Sequence, residues 1–244
     1  MSNSKELANW EKVMAEAAKN AVAAERAPIS ALTVRSGVLK YMDEPVKGNS
    51  LDVVVLFGLK DYQYYDKPYD PDAELNSPLC FAVGQDAVTM QPHATAEKPQ
   101  SDMCEICPHF QWKSDPRGGK GKACKEKRRL AIIPADALKD PTSLSKAEVA
   151  SFRVPVTSVK NYVKFLSTVA AAHMRPPWGV VTTLSVHPHE RYQFEVKFEP
   201  KSLVSDECLG ELYSLTERMQ ELFLSSYAEE EVPTSEPAKG KKYA

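Results

Sequence analysis

The chain is 244 residues long, 43% apolar and 26% charged, the length and proportions of a globular chain able to bury a sizeable core. No apolar run approaches the roughly 18 residues that a membrane-spanning helix needs. The opening MSNSKELANW lacks a signal-peptide pattern, and five cysteines without an export signal argue against a disulfide framework, so a cytoplasmic protein is expected. The net charge of −2 excludes a polycation, so any nucleic-acid binding would need a local patch.

An N-terminal helix is predicted over residues 1–28, because Leu7, Trp10, Met14, Ala17 and Ala21 recur at steps of three and four, between a Ser4 cap and a Pro28 stop. A long hairpin should follow. Leu32, Val34 and Val38 alternate with polar residues, Gly48-Asn49 supplies turn chemistry, and the run from Leu51 to Phe57 suits a strand buried on both sides or the inside of a barrel. From Lys60 to Pro78 the segment DYQYYDKPYDPD is too polar and too broken for a core strand. A short strand is predicted over 79–83, then about 45 residues poor in aliphatics, then a strand over 130–133 ended by Pro134.

In the last third, Thr157 or Ser158 caps a predicted helix with a buried stripe of Val159, Tyr162, Val163, Leu166 and Val169. Residues 178–186 and 192–198 read as a second hairpin whose return strand alternates Tyr192, Phe194, Val196 and Phe198. A final helix over 205–227 carries a stripe of Cys208, Leu212, Leu215, Met219 and Leu222, and residues 228–244 read as a disordered tail. The order is mainly β with flanking helices (α+β). It fits an oligonucleotide-binding-type Greek-key barrel over 29–204 with a metal-binding insertion at about 80–128, with an ordinary α+β sandwich as the alternative. Trp10 with its neighbours, and the Leu212 to Leu222 stripe, are candidate homodimer faces.

The insertion holds the unusual chemistry. Cys104-Glu-Ile-Cys107 places two thiolates on one tight turn, Cys124 follows after a glycine-rich bend, and Cys80 lies 23 residues earlier. That pattern points to a structural zinc ion, which would supply the stability that scarce aliphatics cannot. Cys80 is the preferred fourth ligand, with His93 and His109 as alternatives; an iron–sulfur cluster is the lesser possibility. Cys208 reads instead as a core residue on the last helix.

Between residues 113 and 129 stand Lys113, Arg117, Lys120, Lys122, Lys125, Lys127, Arg128 and Arg129 against only Asp115 and Glu126, a local charge of +6. Phe110 and Trp112 adjoin this window, and Tyr62, Tyr64, Tyr65 and Tyr69 mark the other polar segment. Cations that neutralise phosphates, with rings on which bases stack, are the equipment of a single-strand binder.

Cys80-Phe-Ala82, PQSDMCEICP from Pro99, WKSD from Trp112, GKGKACKEKRRLA from Gly119, VPVTSVKNY from Val154 and RPPWGVVT from Arg175 together resemble bacteriophage-encoded single-stranded DNA-binding proteins. These have an oligonucleotide-binding fold and a zinc-bearing insertion, and the resemblance spans roughly residues 30–200. It implies a DNA replication or recombination protein that coats single strands without base specificity. Cys80, Cys104, Cys107 and Cys124 would hold zinc, and Lys120, Lys122, Lys125, Arg128 and Arg129 would contact phosphates. The acidic Ala228 to Glu231 stretch of the tail would recruit replication proteins.

Two other classes compete. A metal-dependent nuclease needs clustered carboxylates or a poised histidine; Asp70 and Asp72 have no identifiable partner, and neither a P-loop nor a nucleophile elbow appears, so no enzyme is expected. A protein–protein module would use the same basic loop to bind an acidic host partner.

Overall fold

The computed structural model describes Met14 and residues 30–66, 78–191 and 193–225. Apart from Met14, the helix expected over 1–28 lies outside them, as do Tyr69, Asp70, Asp72, Tyr192 and the 228–244 tail.

Among the described residues the protein is mainly β: nine strands form one sheet curled into a half-barrel, with a few helices. Its axis is β4 (Ser50–Tyr64), 15 residues long. Along one side, from Val53 to Gln63, runs antiparallel β6 (Lys125–Pro134). The other side is shared, with β8 (Val180–His189) on the first half of β4 and β5 (Cys80–Gly84) on the second. Outside β8 lies β9 (Gln193–Leu203), and outside β6 lies β7 (Ala150–Val154). Beyond β7 come β1 (Ser30–Arg35), parallel to it, then β2 (Val38–Tyr41) and β3 (Glu44–Pro45).

The dense apolar run of β4 serves two cores. Val53 and Val55 face one, built with Leu130, Ile132, Phe152 and Phe198 and closed by Tyr162, Phe165 and Val169 of α1 (Val159–His173). Val54 and Leu56 face the other, closed by Cys208, Leu212, Leu215 and Phe223 of α2 (Asp206–Ser225). Cys208 is therefore a core residue, as expected, and the Leu212 to Leu222 stripe turns mostly toward the sheet rather than outward as a dimer face. A register shift between Val55 and Phe57 inserts one residue and swaps the faces. Past it, Gly58 comes against α1, where a methyl group would meet the Tyr162 hydroxyl and stand 2.8 Å from Leu130 Cδ2.

Several expectations are corrected. The hairpin turn is Ser36-Gly37, both at positive φ, and it joins β1 to β2; β4 pairs with β6 and β8 instead. Asn49 does help shape this corner, accepting a hydrogen bond from the Leu39 amide (2.8 Å) and donating one to the Gly37 carbonyl (2.6 Å). Residues 60–64, expected to be irregular, continue β4, because β5 and β6 satisfy their backbone on both sides; Asp61, Tyr62 and Gln63 are buried there. Strand β6 begins at Lys125, so four of the eight cations, Lys125, Lys127, Arg128 and Arg129, stand on a strand rather than a loop. On α1 the buried stripe runs through Phe165, and Val163 is exposed.

Candidate functional site

The second half of β4 carries the site. Tyr64 pairs with Cys80 on β5, and Gln63 pairs with Lys125, the residue after Cys124. The two outer cysteines thus reach the same end of the sheet from opposite sides. The C-x2-C turn is hung from the chain by backbone bonds: the Cys104 amide donates to the Met90 carbonyl (2.9 Å), the Cys107 amide to Cys104 (3.2 Å), and the Cys124 amide to His109 (2.8 Å). Cys80, Cys104, Cys107 and Cys124 line one cavity together with Tyr62, Tyr64 and Phe110. Its volume is about 20 Å³, room for roughly one water-sized sphere.

Neither alternative ligand shares that lining. His109 is stacked on Tyr64 with ring centres 4.1 Å apart, and His93 is stacked on Phe81 at 5.0 Å with its Nδ1 bonded to the Thr95 hydroxyl. Burial pushes the Cys104 thiol up to about 11 and Cys124 up to about 12, and the neighbouring cysteines add to both shifts. Cys80 is raised mainly by burial, partly offset by a backbone bond from Gln100. Four thiols in one small pocket form a soft donor set, the chemistry that takes zinc or an iron–sulfur cluster. Among the described residues, no three His, Cys, Asp or Glu side chains form a ready-made metal-holding group.

The rings divide into two classes. Tyr62 is buried and stacked on Phe110 at 4.4 Å, so it belongs to the packing beneath the cysteines. Lys122 Nζ lies 3.6 Å from the Phe110 ring centre and 5.1 Å from that of Trp112, tying the two rings through one cation. Trp112 itself is 73% exposed, and Tyr65 is exposed with its hydroxyl donating to Gln63 at 3.3 Å.

The cations divide likewise. Asp115 receives Arg117 (2.9 Å) and Lys125 (2.7 Å), which hold its carboxyl well below the usual range, with Arg117 the larger cause. Glu126 receives Arg128 (2.8 Å) and Lys122 (3.5 Å). Lys127 bonds Gln63, and Arg129 is fully buried with its guanidinium over Phe223, so it presents no surface to a ligand. Lys113 and Lys120 are exposed.

Sequence reasoning missed the residues that brace this loop. Gln111 donates to the Glu105 carbonyl (2.8 Å) and the Cys107 carbonyl (3.3 Å), while the Ser114 hydroxyl donates to His109 (2.9 Å) and accepts from the Ala123 amide (2.9 Å). Their signal was position alone, between the C-x2-C turn and the glycines. No helix among the described residues is long and apolar enough to cross a membrane. Comparison with protein-family models, curated proteins and solved structures finds no match for this chain.

Proposed function

We propose that this chain binds single-stranded DNA without base specificity and acts by stoichiometric coating, its cysteine-centred insertion presenting the strand-binding surface. The observation that carries this reading is Trp112, an exposed ring beside Lys122, with exposed Lys113 and Lys120 in the same loop. A sequence-tolerant single-strand site needs a π face for bases and cations for phosphates, and this loop offers both. Cys80, Cys104, Cys107 and Cys124 would hold zinc as thiolates. Bound there, zinc would supply no redox or hydrolytic chemistry, only a fixed frame for the loop.

The fold reading is supported by connectivity. Strands β4, β6, β7, β8 and β9 pair as first-second, second-third, first-fourth and fourth-fifth, with α1 between third and fourth. These four pairings agree with the order of an oligonucleotide-binding fold and support that reading; the place beside the third strand is taken by β1, parallel to it, rather than by β9. The proposed setting, phage DNA replication or recombination in a host cytoplasm, rests on the sequence resemblance.

The test is fluorescence anisotropy of labelled oligothymidine at low and high salt with matched duplex as competitor. Tight binding, weakened by salt and not displaced by duplex, is expected. Trp112→Ala should weaken it by about 1–3 kcal/mol, and replacing Lys113 and Lys120 by alanine should lower the salt slope by about 1 per lysine. Absent binding, or equal displacement by duplex, would overturn the reading in favour of an acidic protein partner for the loop.

A further inference from the structure

The two helices on opposite faces of the sheet carry opposite charge. Residues 149–189 contain no aspartate or glutamate, and α1 itself carries Lys160 and Lys164; Arg153 of β7 alternates away from α1, and the carboxylate in contact with α1 is Glu195, which accepts from Asn161 (3.2 Å). In α2, Asp206, Glu207, Glu211, Glu217 and Glu221 stand against Arg218 alone. Arg175 bonds Asp206 at 3.2 Å, which joins the two segments and removes that pair from the account. Among the described residues, the other four carboxylates of α2 and both lysines of α1 form no ion pair.

Helical spacing gathers these charges. Lys160 and Lys164 lie one turn apart on the outer face of α1, beside Val163 (46% exposed) and near Val156 (56% exposed). On α2 the outward arc holds Glu207, Glu211, Glu217 and Glu221 around exposed Arg218, whose guanidinium donates to the Ser145 carbonyl (2.6 Å), with Tyr213, 51% exposed and donating to Glu217, at its rim, so the arc is acidic by four charges to one. The inner arcs of both helices are spent on the two cores.

From this we infer that copies of the chain associate head to tail, the basic outer face of α1 on one copy meeting the acidic outer face of α2 on the next. Complementary charge selects the occupant, and each face repels its own kind. A two-fold dimer would require like faces to meet, or one partner to touch both sides of the sheet at once. The contact is therefore heterologous, and it propagates into an open array unless a rotation closes it into a ring. The exposed valines and Tyr213 supply apolar contact within each junction. This inference does not depend on nucleic-acid binding, and it is tested without DNA.

Sedimentation velocity of the full chain should show association that grows with concentration at low salt and disappears at high salt. Two charge-reversed variants sharpen the test: Lys160→Glu with Lys164→Glu, and Glu207→Lys with Glu211→Lys. All four side chains are exposed, and circular dichroism checks that each variant folds. Each variant alone should lose self-association by about tenfold or more. An equimolar mixture should recover it, since each reversed face then meets its complement. A wild type that stays monomeric at low salt, variants that associate as the wild type does, a mixture that remains monomeric, or a species that stops at two copies would each overturn the proposal.

Discussion

The first half of β4 and its second half are one continuous strand held by opposite means. From Val53 to Leu56 the side chains are almost fully buried aliphatics that feed cores on both faces, each closed by a helix. From Lys60 to Tyr64 the strand keeps its pairing, but its rings lead to Phe110, Met90 and the cysteines, and the turns over residues 85–124 contribute few aliphatics. Apolar burial scales with aliphatic area. The sheet end of the molecule is thus held by aliphatic packing, while the insertion gathers around four thiols, stacked rings and a few backbone bonds. Regular packing provides a platform, and the lightly packed end carries the exposed polar and aromatic groups on which the proposed strand binding rests.

Removing support from each half should give different failures. Phe152→Ala, at a fully buried ring in the core beneath α1, should cost about 3–5 kcal/mol and lower the cooperative melting of the whole chain. On the proposed zinc site, Cys104→Ser, or treatment with a zinc chelator, should instead release the metal and change Trp112 fluorescence while the far-ultraviolet signal of the sheet and helices persists. Single-strand affinity should fall together with the metal content. Global unfolding on chelation would mean the two halves are not separable, and unchanged metal content in the variant would remove Cys104 from the ligand set.

The sheet half was the more legible in sequence, because burial there writes a pattern. The Leu51 to Phe57 run, the 130–133 strand, the second hairpin and the Cys208, Leu212, Leu215 stripe all correspond to observed elements. Strand β7 escaped notice although Ala150, Phe152 and Val154 alternate as a half-buried strand should, since five residues make a weak signal. Which strand pairs with which was not legible: the Gly48-Asn49 turn suggested a partnership between β2 and β4 that the fold does not use. In the insertion, the spacing singled out four cysteines that do share one cavity. The cations were harder. Arg129 and Lys120 look alike in a basic run, yet strand alternation and the cover of α2 bury one and leave the other in solvent.

The junction between the halves can be probed at Gly58, just past the register shift. Gly58→Ala places a methyl group against the Tyr162 hydroxyl and Leu130 Cδ2, an overpacking worth about 1–3 kcal/mol. Tyr162→Phe in the same chain removes the hydroxyl and should recover part of that loss, so a double-mutant cycle on thermal unfolding should be non-additive. Additive effects would show that the strand moves away from α1 rather than pressing on it.

The smallest effect, and the one that best separates frame from ligand surface, concerns Asp115. Its carboxyl is lowered chiefly by Arg117 and then by Lys125, so its folded-state value lies below the unfolded one. Its contribution to the loop is fully present above an unfolded pKa of about 3.9 and is lost as pH falls through the lowered folded value. Asp115→Asn should therefore flatten the acid-side dependence of Trp112 fluorescence. It should also release two cations from their shared carboxylate, so the salt slope for oligothymidine steepens even as the loop loosens. A carboxylate that only braced the loop would lower affinity on removal and leave the slope alone. A steeper slope would identify Asp115 as the internal competitor of the phosphates.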